Sequence, residues 1–258
     1  MNTTVNGGSM KVHGFRVTFL GTGDAFGSGG RLQSSIHVDD GKRPFLIDCG
    51  ATALLAMKRS GLKPDAVETI LVSHLHGDHL CGIPFILRET QILSRRTTPL
   101  LIAGPTGTED MIRTLMKTLF PGSWGQDLSF GLSFTELEPL RPCLLGDLAV
   151  TLFPATHTPG TNPHSVRAET GGRVIAYSGD TEWNPHLIEA ARGADLFVCE
   201  CFQYDGPKKN HLDYPTLLRN RRSLDAERIV LTHMNETMLD NLDAVEFKCA
   251  YDGMVIEL

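Results

Sequence analysis

No stretch of this 258-residue chain approaches the roughly 20 consecutive apolar residues that a membrane-spanning helix requires, so a soluble protein is expected. Aromatic residues are scarce at 7%, against 41% hydrophobic residues overall, and the core must therefore be largely aliphatic. A basic excess is also missing. Lys and Arg total 24 against 30 Asp and Glu, a formal net charge of −6, which withholds the broad positive surface that long nucleic acids require and leaves room only for a local basic patch. The six cysteines (Cys49, Cys81, Cys143, Cys199, Cys201, Cys249) are scattered, not arranged as a disulfide framework. With no secretory leader in view, a reduced, cytoplasmic setting is expected. Cys199 and Cys201 are the one close pair; on a strand both would face the same side, into packing rather than onto a metal. Nothing resembling a linker interrupts the chain, so one domain is expected over residues 11–258, preceded by a polar Gly/Ser-containing stretch over 1–10 that reads as a loose arm or an appended remnant.

Against these absences stands one dense cluster. Ser73 to Leu80 reads SHLHGDHL, placing His74, His76, Asp78 and His79 within six positions. It follows the apolar run Glu68–Val72, which reads as a buried strand. A strand ending in a tight turn at Gly77 can aim several of these side chains into one pocket. Imidazole nitrogens and carboxylate oxygens are the donors that zinc, manganese or iron accept. A solvated polar loop would rarely concentrate four such donors directly behind a buried strand.

The pattern His-x-His-x-Asp-His resembles the signature of the metallo-β-lactamase superfamily, and the chain from about Val12 onward is similar to its ribonuclease Z branch, including the opening FLGTGDAFGSGGRLQSS. The resemblance implies an α/β (α+β) fold, a four-layer αββα sandwich, holding two divalent metal ions, with zinc expected and Mn2+ or Fe2+ admissible. It assigns His74 and His76 to the first metal and Asp78 and His79 to the second. His157, in ATHTPG, resembles the third ligand of the first metal; His164 is the competing candidate but lies inside the following strand. Asp180, in YSGDT, resembles the bridging carboxylate, and His233, in VLTHM, the last ligand of the second metal. Asp48 reads as a buried carboxylate that orients a ligand. His13, His37 and His186 read as structural or exposed.

Alternation of strand and helix patterns supports that architecture. Strands are expected at Phe15–Leu20, Gln33–Val38, Pro44–Cys49, Leu100–Ala103, Leu148–Phe153, Val166–Glu169, Arg173–Tyr177, Asp195–Glu200 and Arg228–Thr232. Helices are expected at Ala51–Ser60, Ile83–Leu93, Thr106–Leu119, Pro185–Arg192 and Tyr214–Arg222. Residues between Leu119 and Gly146 carry only weak patterning. Two strand-rich halves of this kind suit two sheets packed face to face under outer helices.

Two cations sharing a carboxylate supply hydroxide near neutral pH and stabilise developing negative charge; the same device serves phosphodiesters, lactones, thioesters and sulfate esters, so the fold does not name the substrate. In the ribonuclease Z branch a Glu follows the bridging aspartate and a His opens the next helix, and Glu200 and His211 stand in those places. Asp78, His211 and Glu200 are accordingly the expected catalytic residues, with His211 pairing a phosphate oxygen or protonating a leaving alkoxide. The tRNA-processing members carry a long basic arm in the second half, and nothing between Leu148 and Leu231 has that length or composition. A small or cyclic nucleotide phosphodiester is therefore the expected substrate; the same branch includes enzymes opening cyclic nucleotides, some used by phages against cyclic-nucleotide immune signals. The alternatives are a ribonuclease Z-type endoribonuclease on tRNA 3′ ends, a hydrolase of another ester class, and a non-enzymatic metal or nucleotide binder. A homodimer is expected from the related family.

Overall fold

The computed structural model describes residues 14–123 and 128–258; the arm assigned to residues 1–10, and His13, lie outside the described residues. Strand β1 (Arg16–Gly21) is buried on both faces: Val17 and Phe19 enter the core between the sheets, while Leu20 points to the opposite side. It pairs antiparallel with β2 (Ser35–Asp39), which pairs with β3 (Phe45–Ile47) across the Asp39-Asp40-Gly41 turn. The turn is closed by aspartate side chains: Asp39 accepts from the Gly41 N–H at 2.9 Å, and Asp40 from those of Lys42 and Arg43 at 2.9 and 2.8 Å. Helix α1 (Ala53–Arg59) then crosses to β4 (Thr69–Leu71), which pairs parallel with β3.

Beyond β4 lie a single helical turn, α2 (Gly77–Leu80), and helix α3 (Ile83–Ile92), followed by β5 (Leu100–Gly104) and α4 (Thr108–Leu119). The weakly patterned stretch before Gly146 contains two strands that its pattern does not announce, β6 (Leu132–Glu136) and β7 (Cys143–Leu145). Both are short edge strands with no fully buried residue; Leu132 and Phe134 of β6 do alternate with polar residues, but over too few positions to stand out from the weak pattern around them. The second half runs β8 (Leu148–Pro154), β9 (His164–Thr170), β10 (Arg173–Tyr177), α5 (His186–Ala191), β11 (Leu196–Glu200), α6 (Tyr214–Asn220), β12 (Ile229–Thr232), α7 (Glu236–Leu239), β13 (Lys248–Cys249) and β14 (Val255–Glu257). Strands β9 and β10 form a hairpin about Gly171 and Gly172, whose φ values of 57° and 74° suit the left-handed positions of a tight hairpin turn.

The strands make two seven-stranded sheets, ordered β14-β1-β2-β3-β4-β5-β6 and β13-β12-β11-β10-β9-β8-β7. Each is mixed, with its parallel half reached through helices. Side chains such as Phe19, Phe45, Leu152 and Val198 fill the space between the sheets. A second cluster joins the outer face of the first sheet to α1, α3 and α4, and a third joins the outer face of the second sheet to α5, α6 and α7. The result is the four-layer αββα sandwich. Cys199 and Cys201 both lie in the third cluster as packing residues, and all six cysteines are free thiols. No helix among the described residues is long and apolar enough to cross a membrane.

Candidate metal centre

Four strand ends and the loops after them converge on one edge of the sandwich. The segment after β4 brings His74, His76, Asp78 and His79; the segment after β8 brings His157; that after β10 brings Asp180; and His233 directly follows β12. Donor atoms of His74, His76, His157 and Asp180 lie within 4.8 Å of one another, as do those of Asp78, His79, Asp180 and His233. Asp180 belongs to both groups. In the first group, the His76 Nδ1 lies 3.1 Å from the Nε2 atoms of both His74 and His157, and Asp180 Oδ2 lies 3.8 and 3.7 Å from those same two nitrogens. In the second, the His79 Nε2 is 3.1 Å from Asp78 Oδ2 and 3.4 Å from Asp180 Oδ1, and His233 Nε2 is 3.2 Å from Asp180 Oδ2. His164 is not part of the cluster; its Nδ1 is 2.9 Å from the Asn162 carbonyl at the start of β9.

The ring nitrogens turned away from the cluster are held by partners. His79 Nδ1 is 2.6 Å from Asp48 Oδ2, His74 Nδ1 is 3.0 Å from the Ser73 hydroxyl, and His233 Nδ1 is 3.1 Å from the Ser34 hydroxyl. His157 Nδ1 is 2.6 Å from the Asn210 carbonyl. Such outer contacts fix ring orientation and tautomer at metal sites. Backbone strain contributes as well: Asp48, Asn210 and His233 have φ values of 58°, 71° and 56°, a conformation that costs a non-glycine residue about 1–3 kcal/mol and persists only where surrounding contacts enforce it.

The charges are set by burial and by one another. Burial pushes His79 down, but Asp180, Asp78 and Asp48 together outweigh it and hold the imidazole well above its ordinary value. His233 is likewise raised, Asp180 overcoming burial. Burial would lift Asp180, yet His233 and His79 hold it well below the ordinary carboxylate range. His74 moves the other way: burial, with His79 beside it, keeps it well below the usual histidine value and so neutral. Asp78 Oδ2, His79 Nε2 and Asp180 Oδ1 are buried without a hydrogen bond of acceptable geometry. Leaving such atoms unsatisfied costs about 1–3 kcal/mol each, and one divalent cation in the second group would satisfy all three. The nitrogen and oxygen donor set fits two such ions.

Beside the cluster, Glu200 is fully buried. It accepts the Thr181 N–H through Oε1, and its Oε2 is 3.1 Å from His211 Nδ1, which lies 4.0 Å from Asp180 Oδ2. Burial, and then Asp180, push Glu200 well above its ordinary value, while burial lowers His211. Phe202 stacks on the His211 ring at 4.4 Å between centroids and 19° between planes. Sequence patterns do not single out Phe202 or Asn210; the first is an ordinary core-type residue, and the second acts through its backbone carbonyl. The cluster forms the floor of an open cavity of about 410 Å³, rimmed by Ala25, Phe26, Lys208 and Lys209. A separate cavity of about 330 Å³ lies near Arg43 and Glu68 and contains none of these residues.

Comparison with known proteins agrees with this geometry. The chain is similar to ribonuclease Z of Methanothermobacter thermautotrophicus, 28% identical over 85% of this chain and 86% of the relative. It is also similar to ribonuclease Z of Bacteroides thetaiotaomicron, 32% identical over 72% and 73%. Among solved structures, the short form of human tRNase Z superposes with a TM-score of 0.76 at 26% identity, covering 94% of this chain and 98% of that one. The metallo-β-lactamase fold protein YhfI from Bacillus subtilis superposes equally well, at 0.76 and 20% identity over 95% and 100%. Residues 15–249 match the family described as anti-Pycsar protein Apyc1, and the chain is a member of that family, a ribonuclease Z-like branch of the metallo-β-lactamase superfamily.

Proposed function

We propose that this hydrolase is a phosphodiesterase acting on a small or cyclic nucleotide, with His74, His76 and His157 holding one metal ion, Asp78, His79 and His233 a second, and Asp180 shared. The observation that carries the reading is the pairing of this double donor set with a histidine, His211, seated against Glu200 at its edge. When bound, a divalent pair supplies an activated water and stabilises negative charge on the phosphoryl oxygens. The chain's own residues do the rest. Asp180 holds both donor groups in register. With Glu200 protonated against Nδ1, His211 keeps Nε2–H for the substrate. As water adds to phosphorus and the P–O ester bond breaks, Nε2 gives its proton to the departing alkoxide, the Glu200 proton passes to Nδ1, and the proton released by the water restores the pair. Lys208 and Lys209 supply positive charge at the rim.

A small substrate is supported by the size of the cavity, to whose lining residues 201–213 contribute Phe202 and Lys208 to His211. Zinc is the proposed metal, a homodimer the proposed assembly and the cytoplasm the proposed location, the last in keeping with six free thiols. A ribonuclease acting on tRNA 3′ ends is the second reading, favoured by the names of the curated relatives. The test is a panel of cyclic mononucleotides, bis(p-nitrophenyl) phosphate and a 3′-extended tRNA precursor, assayed with zinc- or manganese-loaded protein. Turnover of the cyclic nucleotides supports the proposal; precursor cleavage with no cyclic-nucleotide turnover would transfer support to the second reading.

A further inference from the structure

The loop joining β1 to β2 carries an aromatic residue that the hydrolytic chemistry does not use. Phe26 is 89% exposed, although a large apolar ring in water forgoes the stabilisation that burial would give. The backbone beneath it is firmly held. Asp24, 1% exposed, accepts from the Phe26 N–H at 3.1 Å and the Ser28 N–H at 3.0 Å through Oδ1, and from the Ser28 hydroxyl at 2.7 Å through Oδ2. The Gln33 side-chain amide donates to the Ala25 carbonyl at 3.1 Å. A loop braced in this way fixes the place from which the ring projects.

That place is the mouth of the cavity whose floor is the metal cluster. Apart from histidines, two aromatic rings line this cavity among the described residues, Phe26 and Phe202. Phe202 is already engaged, stacked on His211 at 4.4 Å and with Lys208 Nζ 6.0 Å from its centroid. Phe26 is therefore the aromatic surface left for a ligand. A nucleotide whose phosphate sits on the floor must direct its base toward the mouth.

We propose that Phe26 is the platform on which the substrate's nucleobase stacks, making it a specificity-determining residue for nucleotides over other phosphodiesters; this rests on the cyclic-nucleotide reading above. Every base offers a π face, so stacking adds affinity with little discrimination among bases. Phe26 would thus select for the presence of a base more than for its identity.

The test compares metal-loaded wild type, Phe26→Ala, Phe26→Leu and Phe26→Trp on a cyclic mononucleotide and on its base-free analogue, 1-deoxyribose 3′,5′-cyclic phosphate. Loss of the ring in the Ala and Leu variants should raise KM for the nucleotide about tenfold and lower the preference for nucleotide over base-free substrate, as a ratio of kcat/KM, by a similar factor. Phe26→Trp should keep KM within about twofold, because an indole stacks as well as a phenyl ring. An unchanged preference in Phe26→Ala, an equal loss on both substrates, or a Leu variant as good as wild type would overturn the proposal. Wild-type protein that carries its metals but opens no cyclic nucleotide would instead overturn the parent reading, and this inference with it.

Discussion

Asp48 lies outside both donor groups, yet it orients His79 in the second. Its buried carboxylate accepts the Ser73 N–H and hydroxyl at 2.7 Å each and holds His79 Nδ1 at 2.6 Å. An amide in its place would present the wrong donors to at least one of these partners. Asp48→Asn is expected to weaken metal binding about 10- to 100-fold, measured by competition with a chromogenic chelator; unchanged affinity would remove Asp48 from the account. His79 and His233 are both held above the ordinary histidine value, burial being outweighed by their carboxylate neighbours, whereas a metal ligand must be neutral. Filling the second group should therefore displace protons, with the release shrinking as pH rises past the raised histidine values. Calorimetric titration with zinc in two buffers of different ionisation enthalpy measures that release; a buffer-independent heat near neutral pH contradicts it. His211→Ala should lower kcat by about 10² to 10⁴ while metal content, read by mass spectrometry, stays at the wild-type value. Loss of metal in that variant would make His211 a structural residue instead.

The elements that deliver these residues were legible to very different degrees. Strands β4, β8, β10 and β12 each end an apolar run abruptly at a polar turn, so their ends, where His74, His157, Asp180 and His233 follow, could be read from hydrophobic pattern alone. The edge strands β6, β7, β13 and β14 could not, because they bury little and are too short for any alternation to stand out. The turn at Gly77 proves to be one helical turn, α2, which places Asp78 and His79 on the same short element. Its seat is tight. A Cβ on Gly82, at the start of α3, would lie 2.2 Å from the Gly50 carbonyl and 2.9 Å from that of Cys49, so the α2–α3 junction lies directly on the backbone following Asp48. Gly82→Ala should cost about 1–3 kcal/mol through overpacking, a drop in Tm of roughly 2–10 °C for a chain of this size. A melting curve identical to wild type would mean that the junction yields without cost.

At the scale of the whole molecule, the two halves of the chain meet at the cluster. His74, His76, Asp78 and His79 come from the first sheet's side and His157, Asp180 and His233 from the second's. Metal binding would therefore link the two sheets, and a native-state ligand at about 100 times its Kd adds about 2.7 kcal/mol of stability per site. Stripping metal with a chelator should lower Tm by several degrees, and returning zinc should restore it; identical melts would argue against a structural link. The sandwich and the cluster were legible because a dense histidine motif fixed one corner and strand ends supplied the rest in chain order. The Asn210 carbonyl and the ring of Phe26 were not, since a backbone acceptor has no sequence signature and an exposed aromatic gains meaning only from the cavity it borders. The central claim, hydrolysis of a cyclic nucleotide at this centre, is tested most directly by incubating metal-loaded wild type and Asp78→Ala with cyclic mononucleotides and resolving the linear products by chromatography. The account predicts metal-dependent ring opening by the wild type that is lost in Asp78→Ala; a fully metallated wild type that opens no cyclic nucleotide, while cleaving a lactone or thioester, would contradict it.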